Sequence, residues 1–160
     1  MRPAGDDLEI IIGRAGQRVA YILLPKPENA GDVLTQITAL DELRNRHGIV
    51  RGIPVHVLIE TPGALHDAWE IARLPHVETL DFGLMDFVSA HHGAIPAAAM
   101  RSPGQFSHAL VVRAKCEIAS AALGNGIVPS HNVTTEIRDT NVVREDARRA
   151  RQELGFLRMW

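Results

Sequence analysis

The chain has 160 residues, 46% apolar and 22% charged, and its seventeen Lys plus Arg against nineteen Asp plus Glu leave a formal charge of −2. That suffices for one compact domain spanning residues 1–160, with no linker or second domain, and it leaves no basic field for nucleic acid and no disordered acidic tail. No apolar run approaches the roughly 20 residues of a membrane span, the segment Met1–Asp7 lacks the apolar stretch of a signal peptide, and the single cysteine, Cys116, cannot form an internal disulfide; a cytoplasmic protein is expected.

Leu8–Ile12 and Val19–Leu24 are compact apolar runs bounded by Gly, Pro and Lys, and they read as buried strands. Asn29 is an N-cap candidate, and Val33, Ile37, Leu40 and Leu43 keep helical spacing until Gly48. Val55–Ile59 is the next strand. Thr61 then caps a helix with Pro62 in its first turn and Leu65, Trp69 and Ala72 on one face. A strand follows over Val77–Leu84, interrupted by Asp81, and a loop of small residues and Pro runs from about His91 to Gly104. Val112, Cys116, Ala119 and Leu123 mark the inner stripe of a long helix ended by Gly124-Asn125-Gly126, which makes Cys116 a small core residue. Ile127–Val133 is a weaker strand. Val143, Ala147, Ala150 and Leu154 outline a last helix, Gly155 stops it, and Phe156–Trp160 begins a strand.

Strand–helix alternation with continuously apolar strands predicts a parallel sheet with helices packed outside it. No G-x-G-x-x-G follows the first strand and no phosphate-cradling G-x-x-x-x-G-K-[ST] occurs, so a nucleotide-binding doubly wound sheet lacks its signature. In parallel α/β folds ligands meet the carboxyl ends of the strands. Two consecutive strands end near carboxylates, Glu60 and Asp86, and neighbouring strands lie about 4.8 Å apart. Such a pair can share one hard cation: magnesium takes one or two carboxylates and completes its octahedron with water and substrate oxygens. The alternative is that both acids simply cap the helices that follow them.

Ile22-Leu23-Leu24-Pro25-Lys26, Leu58-Ile59-Glu60-Thr61-Pro62-Gly63-Ala64 and Asp81-Phe82-Gly83-Leu84-Met85-Asp86-Phe87, in this order and spacing, resemble the HpcH/HpaI aldolase and citrate lyase β-subunit family. Leu154-Gly155-Phe156 resembles that family's segment before its last strand, and the resemblance spans residues 19 to 160. It implies an α/β fold of the (β/α)₈ TIM-barrel type, here a partial barrel of roughly strands 3 or 4 to 7, because 160 residues fall short of the at least about 200 that a complete barrel needs. It further implies Glu60 and Asp86 as ligands of Mg²⁺ (or Mn²⁺), and substrate contacts from Gly83, Leu84, Met85 and His91. The family's substrate-binding Arg and its Asp-x-Glu-Asp segment have no counterpart upstream of Pro25-Lys26, and Met85 stands where many relatives carry an acidic residue.

Two further residues are catalytic candidates. Lys26, at a strand end, could form a Schiff base with a carbonyl if its amine were desolvated, or pair with a substrate carboxylate. His131, in Ser130-His131-Asn132, is expected at the rim with a catalytic role. Arg144, Arg148, Arg149 and Arg151, interleaved with Glu145, Asp146 and Glu153, read as a solvated helix face with i,i+4 pairs.

These readings converge on a carbon–carbon lyase or aldolase that cleaves a 3-hydroxy acid, or its coenzyme A thioester, through a metal-stabilised enolate. The alternative is a truncated, inactive paralogue that serves as an interaction module. Open strand edges in a partial barrel predict a homo-oligomer. The expected partners are a small-molecule substrate, possibly a coenzyme A thioester, with no nucleic acid and no membrane.

Overall fold

A computed structural model describes residues 4–159; Met1, Arg2, Pro3 and Trp160 lie outside the described residues, and with them the start of the leader reading and the end of the last strand. The chain opens with α1 (Ala4–Ala15) and continues β1 (Ile22–Leu24), α2 (Ala30–Arg46), β2 (Val55–Ile59), α3 (Pro62–His66), α4 (Ala68–Ile71), β3 (Val77–Phe82) and α5 (Leu84–Ser89). Two 3₁₀ turns over Ala97–Met100 and Gly104–Phe106 lead into α6 (Ala109–Gly124), β4 (Val128–His131), α7 (Thr140–Leu154) and β5 (Arg158–Met159). The five strands pair in sequential order, all parallel, as consecutive strands of a (β/α)₈ barrel do. No helix among the described residues is long and apolar enough to cross a membrane.

The two faces of the sheet differ in chemistry, and strand alternation is the reason. Val55, Val57, Ile59, Leu80 and Phe82 join Ile37, Ile71 and Ile118 from the helices in one apolar core. The intervening residues make a polar layer on the opposite face. Thr79 Oγ1 donates to Asp81 Oδ2 at 2.7 Å, His56 Nδ1 lies 3.8 Å from the same oxygen, Arg158 Nη1 lies 3.3 Å from His56 Nδ1, and Tyr21 stacks on the His56 ring at 3.9 Å.

Local signals explain most element ends. The Asn29 side chain accepts from Asp32 N–H, and α2 buries the expected Val33, Ile37, Leu40 and Leu43. Thr61 Oγ1 accepts from Ala64 N–H and donates to Pro27 O, tying the start of α3 to the loop after β1. Gly155 stops α7 in the left-handed region at φ 77°. On α7, Arg148 pairs with Glu145 and Arg149 with Glu153, as a solvated face should, but Asp146, expected on that face, is buried and hydrogen-bonded to Gln105.

Four expectations need correction. Leu8–Ile12 is helical, not a strand: α1 buries Ile12 against α2 and leaves Ile10 and Ile11 exposed, a one-sided pattern that so short a segment conceals. The helix after Thr61 is divided at Asp67 into α3 and α4. The strand expected to Leu84 ends at Phe82, and α5 begins there. The buried stripe of α6 runs through Val111, Ala114, Lys115, Ile118, Ala119, Ala121 and Ala122, so Ala119 is buried as expected while Cys116 is exposed instead of core.

Candidate active site at the carboxyl ends of the strands

The register pairs Ile59 with Phe82, so the residues that follow, Glu60 and Gly83, leave the sheet side by side. Gly83 N–H donates to Ile59 O at 3.0 Å. A Cβ at position 83 would lie 2.5 Å from Glu60 Cβ and 2.6 Å from its Oε2, so only glycine leaves room for the Glu60 carboxylate. Asp86 follows in the first turn of α5, beside Glu60.

Lys26 joins the two acids by different groups. It adopts a positive φ of 53°, which turns its backbone N–H onto Glu60 Oε1 at 2.8 Å. Its ammonium lies 3.2 Å from Asp86 Oδ1. Glu60 is buried, whereas the side chains of Asp86 and Lys26 are more than half exposed. Burial raises the Glu60 pKa above the usual carboxylate range and the Asp86 charge raises it further, against the opposing pull of the Lys26 N–H.

Both acids line a cavity of about 130 Å³. Leu58, Phe82 and Val133 form apolar wall, and Gly83, Leu84 and Met85 also line the cavity. A larger depression of about 780 Å³, carrying Arg101, adjoins it through Met85 and Thr135.

Among the described residues no group of three or more His, Cys, Asp or Glu side chains is placed to hold a metal. The two-carboxylate corner fits a hard cation that keeps open positions better than it fits a closed zinc cage. Two adjacent carboxylates, one buried, repel each other, and the single charge of an exposed lysine is their nearest counterweight. A divalent ion answers that imbalance.

Other candidates lie elsewhere. His91 is away from the carboxylate cavity: its Nδ1 contacts Phe87 O at 2.7 Å and its ring packs on Phe87, in a separate depression with His66 and Arg113. His131 is not at the rim. It is fully buried on the helix side of β4, with its ring against Phe106 and Phe156 and its Nε2 2.8 Å from Lys115 Nζ. Burial, reinforced by the Lys115 charge, lowers its pKa to about 3. The ring is therefore neutral, its Nε2 accepts from the lysine, and its Nδ1–H donates to Asn132 O.

This histidine belongs to a network that pattern reading missed. Lys115 is fully buried, donates to Gln105 Oε1 at 2.9 Å, and sits over the Phe106 ring at 4.3 Å. Burial lowers its pKa to about 7 despite the attraction of Asp146. Buried Asp146 in turn accepts from Ser102, from Gln105 Nε2 at 3.0 Å and from Thr134 Oγ1 at 3.3 Å. Asn132 lies between this network and the carboxylate cavity.

The HpcH/HpaI aldolase/citrate lyase family profile matches residues 2–157, and the chain belongs to that family. Its structure superposes on a citrate lyase from Burkholderia xenovorans LB400 with a TM-score of 0.96 and 52% identity, covering 98% of this chain and 49% of that one. The chain thus spans about half the length of that relative. A citrate lyase beta subunit from Mycobacterium tuberculosis, complexed with oxaloacetate and magnesium, shares the fold at a TM-score of 0.74 with 23% identity, over 99% of this chain and 61% of that one. Protein CitE from the same organism, in complex with magnesium, acetoacetate and coenzyme A, gives 0.74 and 24% over 99% and 51%. No match was found among curated proteins.

Proposed function

We propose that this chain carries the metal corner of a carbon–carbon lyase or aldolase acting on a 3-hydroxy acid or its acyl-coenzyme A thioester. The observation that carries the reading is the buried Glu60 carboxylate set beside Asp86 at the mouth of adjacent parallel strands, in a small cavity with apolar walls. Glu60 and Asp86 would hold Mg²⁺ or Mn²⁺; the ion would act as a Lewis acid on the carbonyl next to the bond that breaks. Magnesium in the M. tuberculosis structures supports that choice.

The chain's own residues then have distinct tasks. Gly83 keeps the space beside Glu60 open. Lys26 N–H orients the Glu60 carboxylate, and the Lys26 ammonium balances Asp86 and, on its exposed side, would meet a substrate carboxylate; exposed and ion-paired, it lacks the desolvation a Schiff-base lysine needs. Leu58, Phe82 and Val133 exclude water from one side of the cavity. A thioester carrier would run into the adjoining depression past Met85, where Arg101 suits its phosphates. The coenzyme A in the CitE complex is in line with this. His131, neutral and enclosed, serves architecture instead of proton transfer.

The test is turnover. With Mg²⁺ present, a panel of 3-hydroxy acids and their coenzyme A thioesters is assayed for release of the keto or aldehyde fragment. The proposal expects cleavage of at least one member, and its loss in Glu60→Gln. No cleavage across the panel would leave the inactive paralogue as the better account.

A further inference from the structure

We infer that Asn132 is a specificity-determining residue of the carboxylate cavity, its side-chain oxygen accepting a hydrogen bond from the hydroxyl of the substrate. This rests on the lyase reading above, which supplies a 3-hydroxy acid.

Asn132 directly follows β4, is 1% exposed, and lines the cavity with Glu60 and Asp86. Its Nδ2 donates to Gln105 Oε1 at 3.1 Å and to Val133 O at 2.8 Å. Val133 O is a backbone carbonyl and can only accept, so that end of the amide is nitrogen. Gln105 is oriented independently: its Oε1 accepts from Lys115 Nζ and its Nε2 donates to Asp146. The network therefore fixes which atom of Asn132 stays free, and that atom is Oδ1. It is buried without a partner. Ser130 Oγ and His108 Nδ1 are also unpartnered, but neither residue lines this cavity.

A buried amide oxygen left unpaired costs about 1–3 kcal/mol, and only a donor can recover it. The ligand class narrows accordingly. Carboxylates, thioester carbonyls and keto groups present acceptors alone and gain nothing from Oδ1. The hydroxyl of a 3-hydroxy acid is a donor. Besides the carboxylates of Glu60 and Asp86 and the hydroxyl of Thr135, Asn132 gives that cavity a neutral amide acceptor, buried and unpaired.

Calorimetric titration of the Mg²⁺-loaded chain with L-malate, which carries the hydroxyl, and succinate, which lacks it, tests the assignment. The wild type should prefer malate by roughly tenfold, the factor a single net hydrogen bond supports. Asn132→Leu should bind the two alike while taking up Mg²⁺ as the wild type does. A general structural loss would instead weaken both ligands together and preserve their ratio. Asn132→Ala, which leaves Gln105 Oε1 bonded to Lys115, is the second variant should the leucine disturb folding. A malate preference that survives in the variants, or a wild type with none, overturns the role of Asn132 and leaves the lyase reading standing. Failure of malate to bind the wild type overturns the role of Asn132, while the lyase reading stands or falls by the turnover panel.

Discussion

Two clusters of charged and polar side chains lie close together in this molecule and are built on opposite terms. Behind β4, Lys115, His131, Gln105 and Asp146 are closed off from water, and donors and acceptors there find partners one after another. At the strand ends, Glu60 and Asp86 lie beside each other as like charges in the lining of a cavity, with exposed Lys26 against them and the Oδ1 of Asn132 unpaired. A satisfied buried network ties chain segments together, here the Gly104–Phe106 turn, α6, β4 and α7. An unsatisfied one stores affinity for something that is not yet there. The contrast assigns structure to the first cluster and, under the function proposed above, binding to the second.

Breaking the closed cluster should do the most damage. Lys115→Met keeps the side-chain length but strips the donor from His131 Nε2 and the positive charge from the vicinity of buried Asp146. Urea unfolding should show a loss of roughly 3 kcal/mol. A neutral result would mean that the network is ornamental. Next comes crowding of the open corner. Gly83→Ala forces a methyl against Glu60 and should cost about 1–3 kcal/mol as overpacking, with Mg²⁺ uptake lost in the same variant.

Titration behaviour sharpens the comparison further, because the clusters depend on pH with opposite signs. His131 titrates near 3 when folded and near its ordinary value when unfolded, so the unfolded chain takes up the proton first as pH falls. Stability is lost as pH drops through that window, and His131→Gln should flatten the slope by about 1 kcal/mol per pH unit. Thermal melts from pH 7 down to pH 4 measure it. Glu60 runs the other way. Its folded pKa is raised, so its ionisation removes stability as pH rises from the usual carboxylate value to the raised one. Glu60→Gln without metal should therefore be slightly more stable than the wild type at neutral pH, by less than about 1 kcal/mol, and no different in acid. A residue whose removal stabilises the fold is held there for another purpose.

Much of this was legible in the sequence, and the reasons for the gaps are physical. Val55–Ile59, the Asn29 and Thr61 caps and the α2 stripe are local signals, and the structure follows them. Glu60, Gly83 and Asp86 were legible because parallel strands present their carboxyl ends together, so position along the chain implied position in space. Leu8–Ile12 was not, since a short β-branched run carries no period long enough to separate helix from strand. The stripe of α6 was misplaced for a different reason. Lys115 reads as surface, and only its partners Gln105, His131 and Asp146, brought from three other segments, make its burial possible. His131 was drawn to the rim by its place at a strand end, but alternation turned it toward the helices while Ser130 took the sheet's polar face. Asn132 passed unnoticed because an unpaired oxygen is a property of three-dimensional partners.

The central claim is that Glu60 and Asp86 together hold one divalent cation, and calorimetric titration with Mg²⁺ tests it most directly. The wild type should take up one ion, and Glu60→Gln and Asp86→Asn should each weaken binding by on the order of a hundredfold. Equal Mg²⁺ affinity in all three proteins would contradict the account.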